Sequence, residues 1–268
     1  MKYCRFASEA GPQLGEVQER QGERETEFWV VAALSEAETG ANAAPFEPRR
    51  LMELALLPPV TPSKIICVGR NYRDHAKELG NEVPAEPLLF FKPPSSLLPP
   101  GSVIRMPKVS QRVDFEGELA VIIGKRARKL RATDDLNPYI HGYTLANDVT
   151  ARDLQKKDGQ WTRAKGFDTF CPVGPLVNTS LTLSAIESGL TIETHVNGEL
   201  RQHGSTADFI FSLPVLLEYI TAAITLEPGD LLLTGTPAGV GPLAPGDIVE
   251  VSIPELGRLS NSVQPEED

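Results

Sequence analysis

The sequence predicts a mixed, mainly β fold with few short helices, and three observations carry that expectation. Short apolar runs of strand length recur at 64–68, 88–91, 119–123, 142–146, 190–196, 230–234 and 248–253. Turn signals separate them, among them Asn197-Gly198, "EPGD" and "APGD". Helical patterns are confined to 72–79, 151–157 and 213–223, too few for regular strand–helix alternation. A β-rich core of this kind must be closed or sandwiched to protect its strand edges.

In chain order, residues 1–60 alternate short apolar patches with "GEVQERQGERETEF" and a weak linker, "ETGANAAPFEP". That pattern predicts a small β-rich appendage of hairpins, with a boundary near "LPPVTPSK" and a catalytic-size domain over 61–268. The run 119–123 is apolar without alternation, the pattern of a strand buried on both faces. "TGTPAGVGP" lacks the Lys and Ser/Thr of a phosphate loop and reads as a tight turn that lets backbone approach something closely. The terminal "QPEED" reads as a frayed acidic tail.

Composition narrows the function. The 268 residues are 41% hydrophobic, enough for a sizeable core, and carry a net charge of −10. That charge opposes attraction to phosphate backbones, so no nucleic-acid partner is expected. No stretch has the length or apolarity of a signal peptide or a membrane span, which makes the expected location cytoplasmic with no membrane partner. Cys4, Cys67 and Cys171 are odd in number and never in a CxxC pair, so reduced thiols are expected, with Cys67 in the core. Serine-hydrolase and zinc-protease motifs are absent.

The chemistry begins at "DFEGELAVII". On a strand, Asp114, Glu116 and Glu118 share one face and enter the interior just before the apolar run. An isolated acidic strand is ordinarily a solvated surface; buried, three carboxylates require neutralisation. Three other segments bear on this. In "GRNYRDHAKELG", Asn71 can cap a short helix on which His75 and Glu78 lie three apart, either a chance surface contact or a carboxylate that orients an imidazole base. In "YTLANDVTARDLQ", Thr150 and Asp153 resemble a capping box, while Asp148 at a strand end is equally a ligand contact or a turn cap. In "WTRAKGFDTFCPVGP", Lys165 sits in a Gly- and Pro-interrupted loop, where extension to solvent is the default for a lysine. Glu116, Glu118 and Asp148 together make an all-oxygen set suited to magnesium or manganese, whereas zinc would want nitrogen or sulfur. Spacing alone does not bring residue 148 beside 116 and 118.

The ordered blocks "CVGRNYRDHAKE", "FFKPPSSL", "VDFEGELAVIIGK", "NDVTARDLQ", "KGFDTFCPVGP" and "LLTGTPAGVGP" resemble the fumarylacetoacetate hydrolase family from about residue 62 to the end. The resemblance implies a β-roll catalytic domain, usually homodimeric, with magnesium held by Glu116, Glu118 and Asp148. It further implies a His75–Glu78 catalytic dyad on a helix that orders as a lid, and Lys165 at the oxo or enolate oxygen. Arg70, Arg152, Gln155 and Thr236 would hold the carboxylate of a small 2-oxo acid. Two departures stand out: "IICVG" offers no fourth acidic ligand, and Ser205 replaces a frequent Asn. The branch resembled most is that of oxaloacetate tautomerases and hydroxymuconate-type isomerases. Acylpyruvate-type carbon–carbon hydrolysis is the second expectation and oxaloacetate decarboxylation the third. A non-catalytic, metal-stabilised binding protein is the alternative from another class, and retention of both His75 and Glu78 counts against it.

Overall fold

A computed structural model describes residues 1–9, 11–22, 26–34 and 46–267. Most of the linker foreseen around 38–48 lies outside them. The chain opens with β1 (Lys2–Ser8), β2 (Gly11–Gln21), β3 (Thr26–Leu34) and β4 (Arg49–Arg50), then β5 (Ile65–Gly69), α1 (Arg73–Glu78), β6 (Leu88–Lys92), β7 (Leu97–Leu98) and β8 (Val103–Met106). Next come β9 (Val113–Phe115), β10 (Gly117–Ile123), β11 (Ile140–Asn147), β12 (Thr150–Ala151), α2 (Arg152–Asp158), α3 (Thr162–Lys165), β13 (Cys171–Asn178) and α4 (Leu183–Ser188). The last part holds β14 (Thr191–Val196), β15 (Glu199–Ser205), α5 (Leu213–Ala223), β16 (Leu231–Leu233), β17 (Gly241–Pro242), β18 (Ile248–Ile253) and β19 (Gly257–Pro265).

The strands make one large mixed sheet, ordered β4-β3-β2-β1-β13-β11-β10-β16-β5-β6 with β7 beside β13, a five-stranded sheet β15-β14-β18-β19-β8, and a small sheet β12-β9-β17. The fold is mainly β, as expected. Asn197-Gly198 does turn the β14–β15 hairpin. Not every connection is antiparallel: β5 runs parallel to β16, β7 to β13 and β8 to β19.

The apolar runs explain the layering. On β10, Leu119, Val121 and Ile123 enter the main core while Ala120 and Ile122 enter a second cluster on the opposite face. Both faces are covered, so the strand carries no polar alternation. In α5, Leu213, Leu216, Leu217 and Ile220 follow the i, i+3, i+4, i+7 stripe and pack into the main core with Ile192, Val251 and Leu259 of the five-stranded sheet.

Several expectations are corrected. The acidic segment is not one continuous strand: Asp114 lies on β9 in the small sheet, Glu118 on β10 in the large one, and Glu116 at the break between them. β13 was hidden because "CPVGPLVN" holds two prolines and a glycine, yet all eight residues are buried. β19 was hidden because its inward positions include Asn261, whose amide donates to the carbonyls of Pro99 and Ser102 at 3.0 and 2.8 Å. The terminal segment is held rather than frayed through residue 267: the Glu266 N–H donates to Met106 O at 2.9 Å and Glu267 pairs with Arg105 at 2.6 Å.

Candidate active site

Register supplies the juxtaposition that spacing withheld. β10 and β11 run antiparallel with Gly117 opposite Asn147, which sets the next residue, Asp148, beside Glu116. The Asp148 N–H donates to Glu116 O at 2.8 Å, and the Glu116 N–H to the Asn147 side-chain oxygen at 2.9 Å. Oxygens of Glu116, Glu118 and Asp148 then fall within 4.8 Å of one another, and all three residues are buried. Gly117 is what lets this strand in: a Cβ there would lie 2.1 Å from Thr194 Oγ1.

Their surroundings separate the three acids. Glu116 is buried, which alone would raise its pKa, but the Lys165 ammonium at 2.9 Å and the Arg152 guanidinium at 2.6 Å hold it far below the usual range. Asp148 is gripped by Lys165 at 2.6 Å and by Lys92 at 2.7 Å. Glu118 accepts only the Gly235 N–H, at 2.7 Å, and faces no base within ion-pair distance among the described residues. Burial first, then the charges of Asp148 and Glu116, push its pKa well above the ordinary carboxylate value. A buried, uncompensated carboxylate in a purely oxygen donor set is what a hard divalent cation relieves, so these residues fit magnesium or manganese.

Lys165 is therefore buried, not extended to solvent; besides the two acids it donates to Thr150 Oγ1 at 2.9 Å. Arg152 is spent on three acceptors: Asp114 at 2.9 Å, Glu116 at 2.6 Å and Gln155 Oε1 at 2.8 Å. The capping box does not form. Asp153 accepts instead from Ser110 Oγ and the Gln111 N–H, at 2.6 and 3.0 Å, and Thr150 Oγ1 donates to Asp148 O.

Helix α1 does carry His75 and Glu78 on one face, with Nδ1 3.5 Å from the carboxylate, beyond hydrogen-bond length. Burial of His75 lowers its pKa below 6.5, leaving a neutral imidazole near neutral pH. Both Glu78 oxygens lie 3.1 Å from the Gly239 N–H, so the glycine-rich turn approaches carboxylates twice, here and at Gly235. Asn71 is no cap. It is wholly buried, accepts the Phe211 N–H at 2.8 Å, and donates to Thr234 O at 2.8 Å, tying the entry of α1 to the end of β16.

All ten residues singled out from sequence line one cavity of about 470 Å³: Arg70, His75, Glu78, Glu116, Glu118, Asp148, Arg152, Gln155, Lys165 and Thr236. Thr236 is engaged internally, donating to Gly117 O at 2.8 Å and accepting from Gln202 at 2.7 Å. Two supporting residues escaped the sequence reading. Gln202, wholly buried, also accepts the Gly117 N–H at 2.9 Å and donates to Pro237 O at 2.8 Å, locking the E-G-E segment to the glycine-rich turn. Lys92 is buried at the end of "LLFFK", where a lysine closing an apolar strand was the available signal.

Among the described residues no helix is long and apolar enough to cross a membrane. Cys4, Cys67 and Cys171 are unbonded and all three are buried, where only Cys67 was expected in the core. A family profile described as fumarylacetoacetate (FAA) hydrolase C-terminal matches residues 64–264. The chain is 44% identical to a Bacillus subtilis protein named oxaloacetate tautomerase YisK over 225 residues, 80% of this chain and 74% of the relative. It superposes on the crystal structure of 5-carboxymethyl-2-hydroxymuconate delta-isomerase from Mycobacterium smegmatis with a TM-score of 0.83 and 37% identity, covering 100% of both chains. Against the fumarylacetoacetate hydrolase of Exiguobacterium antarcticum the values are 0.81 and 35%, covering 99% of this chain and 100% of that one.

Proposed function

The chain belongs to the fumarylacetoacetate hydrolase family, and from that premise we propose that it is a magnesium- or manganese-dependent tautomerase or isomerase of a small 2-oxo carboxylic acid. The supporting observation is the convergence, in one cavity, of a buried carboxylate triad, a buried lysine and a buried neutral imidazole. Glu116, Glu118 and Asp148 would hold the divalent cation, which when bound supplies a sink for the negative charge that develops on the 2-oxo oxygen.

This chain's own groups do the rest. Neutral His75 accepts the proton from C3 as the C2–C3 double bond forms, and returns it in the reverse direction. Glu78, fixed at its far side by the Gly239 amide, stabilises the imidazolium and orients the ring. Lys165 would donate to the enolate oxygen by releasing one of its three present acceptors, Glu116, Asp148 and Thr150. Gln155 and Arg70 contact the substrate's carboxylate groups, and Thr236 and Arg152 act through the residues they brace. By the same resemblance, the catalytic unit is residues 61–268 in a homodimer.

Carbon–carbon hydrolysis of an acylpyruvate is the second reading, favoured by the likeness to the Exiguobacterium hydrolase; there His75 would take its proton from water rather than carbon. Tautomerisation leads because the relative bearing that name is the more similar in sequence. Ultraviolet absorbance of enol oxaloacetate and of an acylpyruvate, with and without magnesium, tests both. The expected result is metal-dependent turnover that falls by roughly 10²–10⁴-fold in His75→Ala. Equal rates for wild type and variant would refute the dyad. Product analysis separates ketone, cleavage fragments and carbon dioxide.

A further inference from the structure

β15 inverts the usual order of burial. Along 199–203 its apolar side chain, Leu200, is 53% exposed, while Gln202 is wholly buried. A buried amide is costly unless its hydrogen bonds are made, and Gln202 makes them. With Gly117 and Thr236 it closes a ring. The Gly117 N–H donates to Gln202 Oε1 at 2.9 Å, Gln202 Nε2 to Thr236 Oγ1 at 2.7 Å, and Thr236 Oγ1 to Gly117 O at 2.8 Å. Gln202 Nε2 also donates to Pro237 O at 2.8 Å. Each member of the ring donates to the next, so the bonds reinforce one another in a dry interior.

The ring joins the two segments that frame the site. The Gly117 N–H belongs to the peptide that links it to Glu116 and its carbonyl to the peptide that links it to Glu118, so both planes between these two acids are held. Thr236 and Pro237 stand in the middle of the glycine-rich turn, and that turn donates to a carboxylate on either side of them. The Gly235 N–H meets Glu118 at 2.7 Å, and the Gly239 N–H meets both Glu78 oxygens at 3.1 Å. There is no room for the turn to drift. Toward β15, a Cβ on Gly239 would lie 2.0 Å from Arg201 O, and one on Gly204 would lie 2.6 Å from Pro237 Cβ. Toward the entry of α1, a Cβ on Gly235 would lie 2.7 Å from Asn71 Cβ.

We propose that Gln202 is a positioning residue for both halves of the site. Through Thr236 and Pro237 it keeps the Gly235 amide on Glu118 and the Gly239 amide on Glu78, so that cation affinity and dyad geometry depend on one buried side chain. Gln202 does not line the cavity, and acts through the turn. This rests on the cation and dyad reading above and names the group that ties the two together.

Calorimetric titration of the metal-free protein with magnesium reads the first half without any turnover. Gln202→Leu keeps the bulk and removes every donor and acceptor, and should weaken magnesium binding by about 10–100-fold. Thr236→Val breaks the same ring and should do likewise, while Thr236→Ser, which keeps the hydroxyl, should recover most of the loss. A double-mutant cycle on kcat/KM reads the second half. Glu78→Gln should cost less in the Gln202→Leu background than in wild type, because the amide that held Glu78 has already shifted. A role confined to folding would lower the melting temperature of Gln202→Leu, yet leave magnesium affinity unchanged and the cycle additive; either of these last two results overturns the inference. Should Gln202→Leu not fold, Thr236→Val against Thr236→Ser decides. A wild type that binds no magnesium ends the cation reading and this role with it; equal binding by wild type and variants ends the role and leaves the reading standing. Binding without turnover of enol oxaloacetate or an acylpyruvate would refute the reaction assigned above, and the affinity series would still decide the hold of Gln202 on Glu118.

Discussion

Replacing Lys92 by Met tests whether a lysine outside the substrate cavity's wall holds Asp148 in place. The Lys92 ammonium lies 2.7 Å from Asp148 Oδ1 and donates to the carbonyls of Val149 at 3.2 Å, Phe170 at 2.9 Å and Lys165. Methionine fills nearly the same volume as the lysine stem, so little of the loss should come from a cavity. What is removed is one partner of a buried ion pair, about 3–5 kcal/mol, together with a side-chain donor that those carbonyls share. The expected cost is therefore about 4 kcal/mol, a large part of the ~5–15 kcal/mol that holds an ordinary domain together. Urea unfolding followed by circular dichroism measures it. Because Asp148 also belongs to the proposed cation site, millimolar magnesium should narrow the gap between variant and wild type. A cost below about 1 kcal/mol, or a gap that magnesium leaves unchanged, would refute the assignment of Lys92 as the counter-charge of Asp148.

Gly117→Ala should destabilise by about 1–3 kcal/mol through overpacking against Thr194, and Thr194→Ala should recover part of that in a double-mutant cycle; strict additivity by thermal melting would show that the clash is relieved elsewhere. Asp230 is a pH prediction. Burial alone would raise its pKa, but the Lys64 ammonium, the Glu227 N–H and Ser63 outweigh it and lower it below 3.8. A depressed carboxylate adds stability above its unfolded pKa and loses it as pH falls through its folded pKa, so the deficit of Asp230→Asn measured by unfolding at pH 7 should shrink below about pH 4. Burial also pushes the thiols of Cys4 and Cys171 up to about 12 and that of Cys67 well above its ordinary value. Native protein should accordingly be inert to a thiol-reactive disulfide at pH 8, with all three sulfurs reacting in denaturant; rapid labelling without denaturant would contradict the burial.

The sequence by itself determined the strand-rich class, the double-sided burial of β10, the Asn197-Gly198 hairpin, the helix that carries His75 and Glu78, and the candidate metal ligands. Apart from the ligand set, which rested on residue type and the family resemblance, each of these is local: period, turn chemistry and residue type are written within a dozen residues of one another. It misjudged "CPVGPLVN" and "GRLSNSVQP", whose prolines, glycine and inward Asn261 suit a strand only once neighbouring carbonyls and side chains are in place. Only the tertiary structure decided that Asp148 stands beside Glu116, because that depends on the register between β10 and β11. It likewise decided which cations are spent and which are free. Lys165 and Arg152 look no different from Arg70 or Lys156 in sequence, and differ in the fold because buried carboxylates recruit the nearest bases and leave the others to face the cavity.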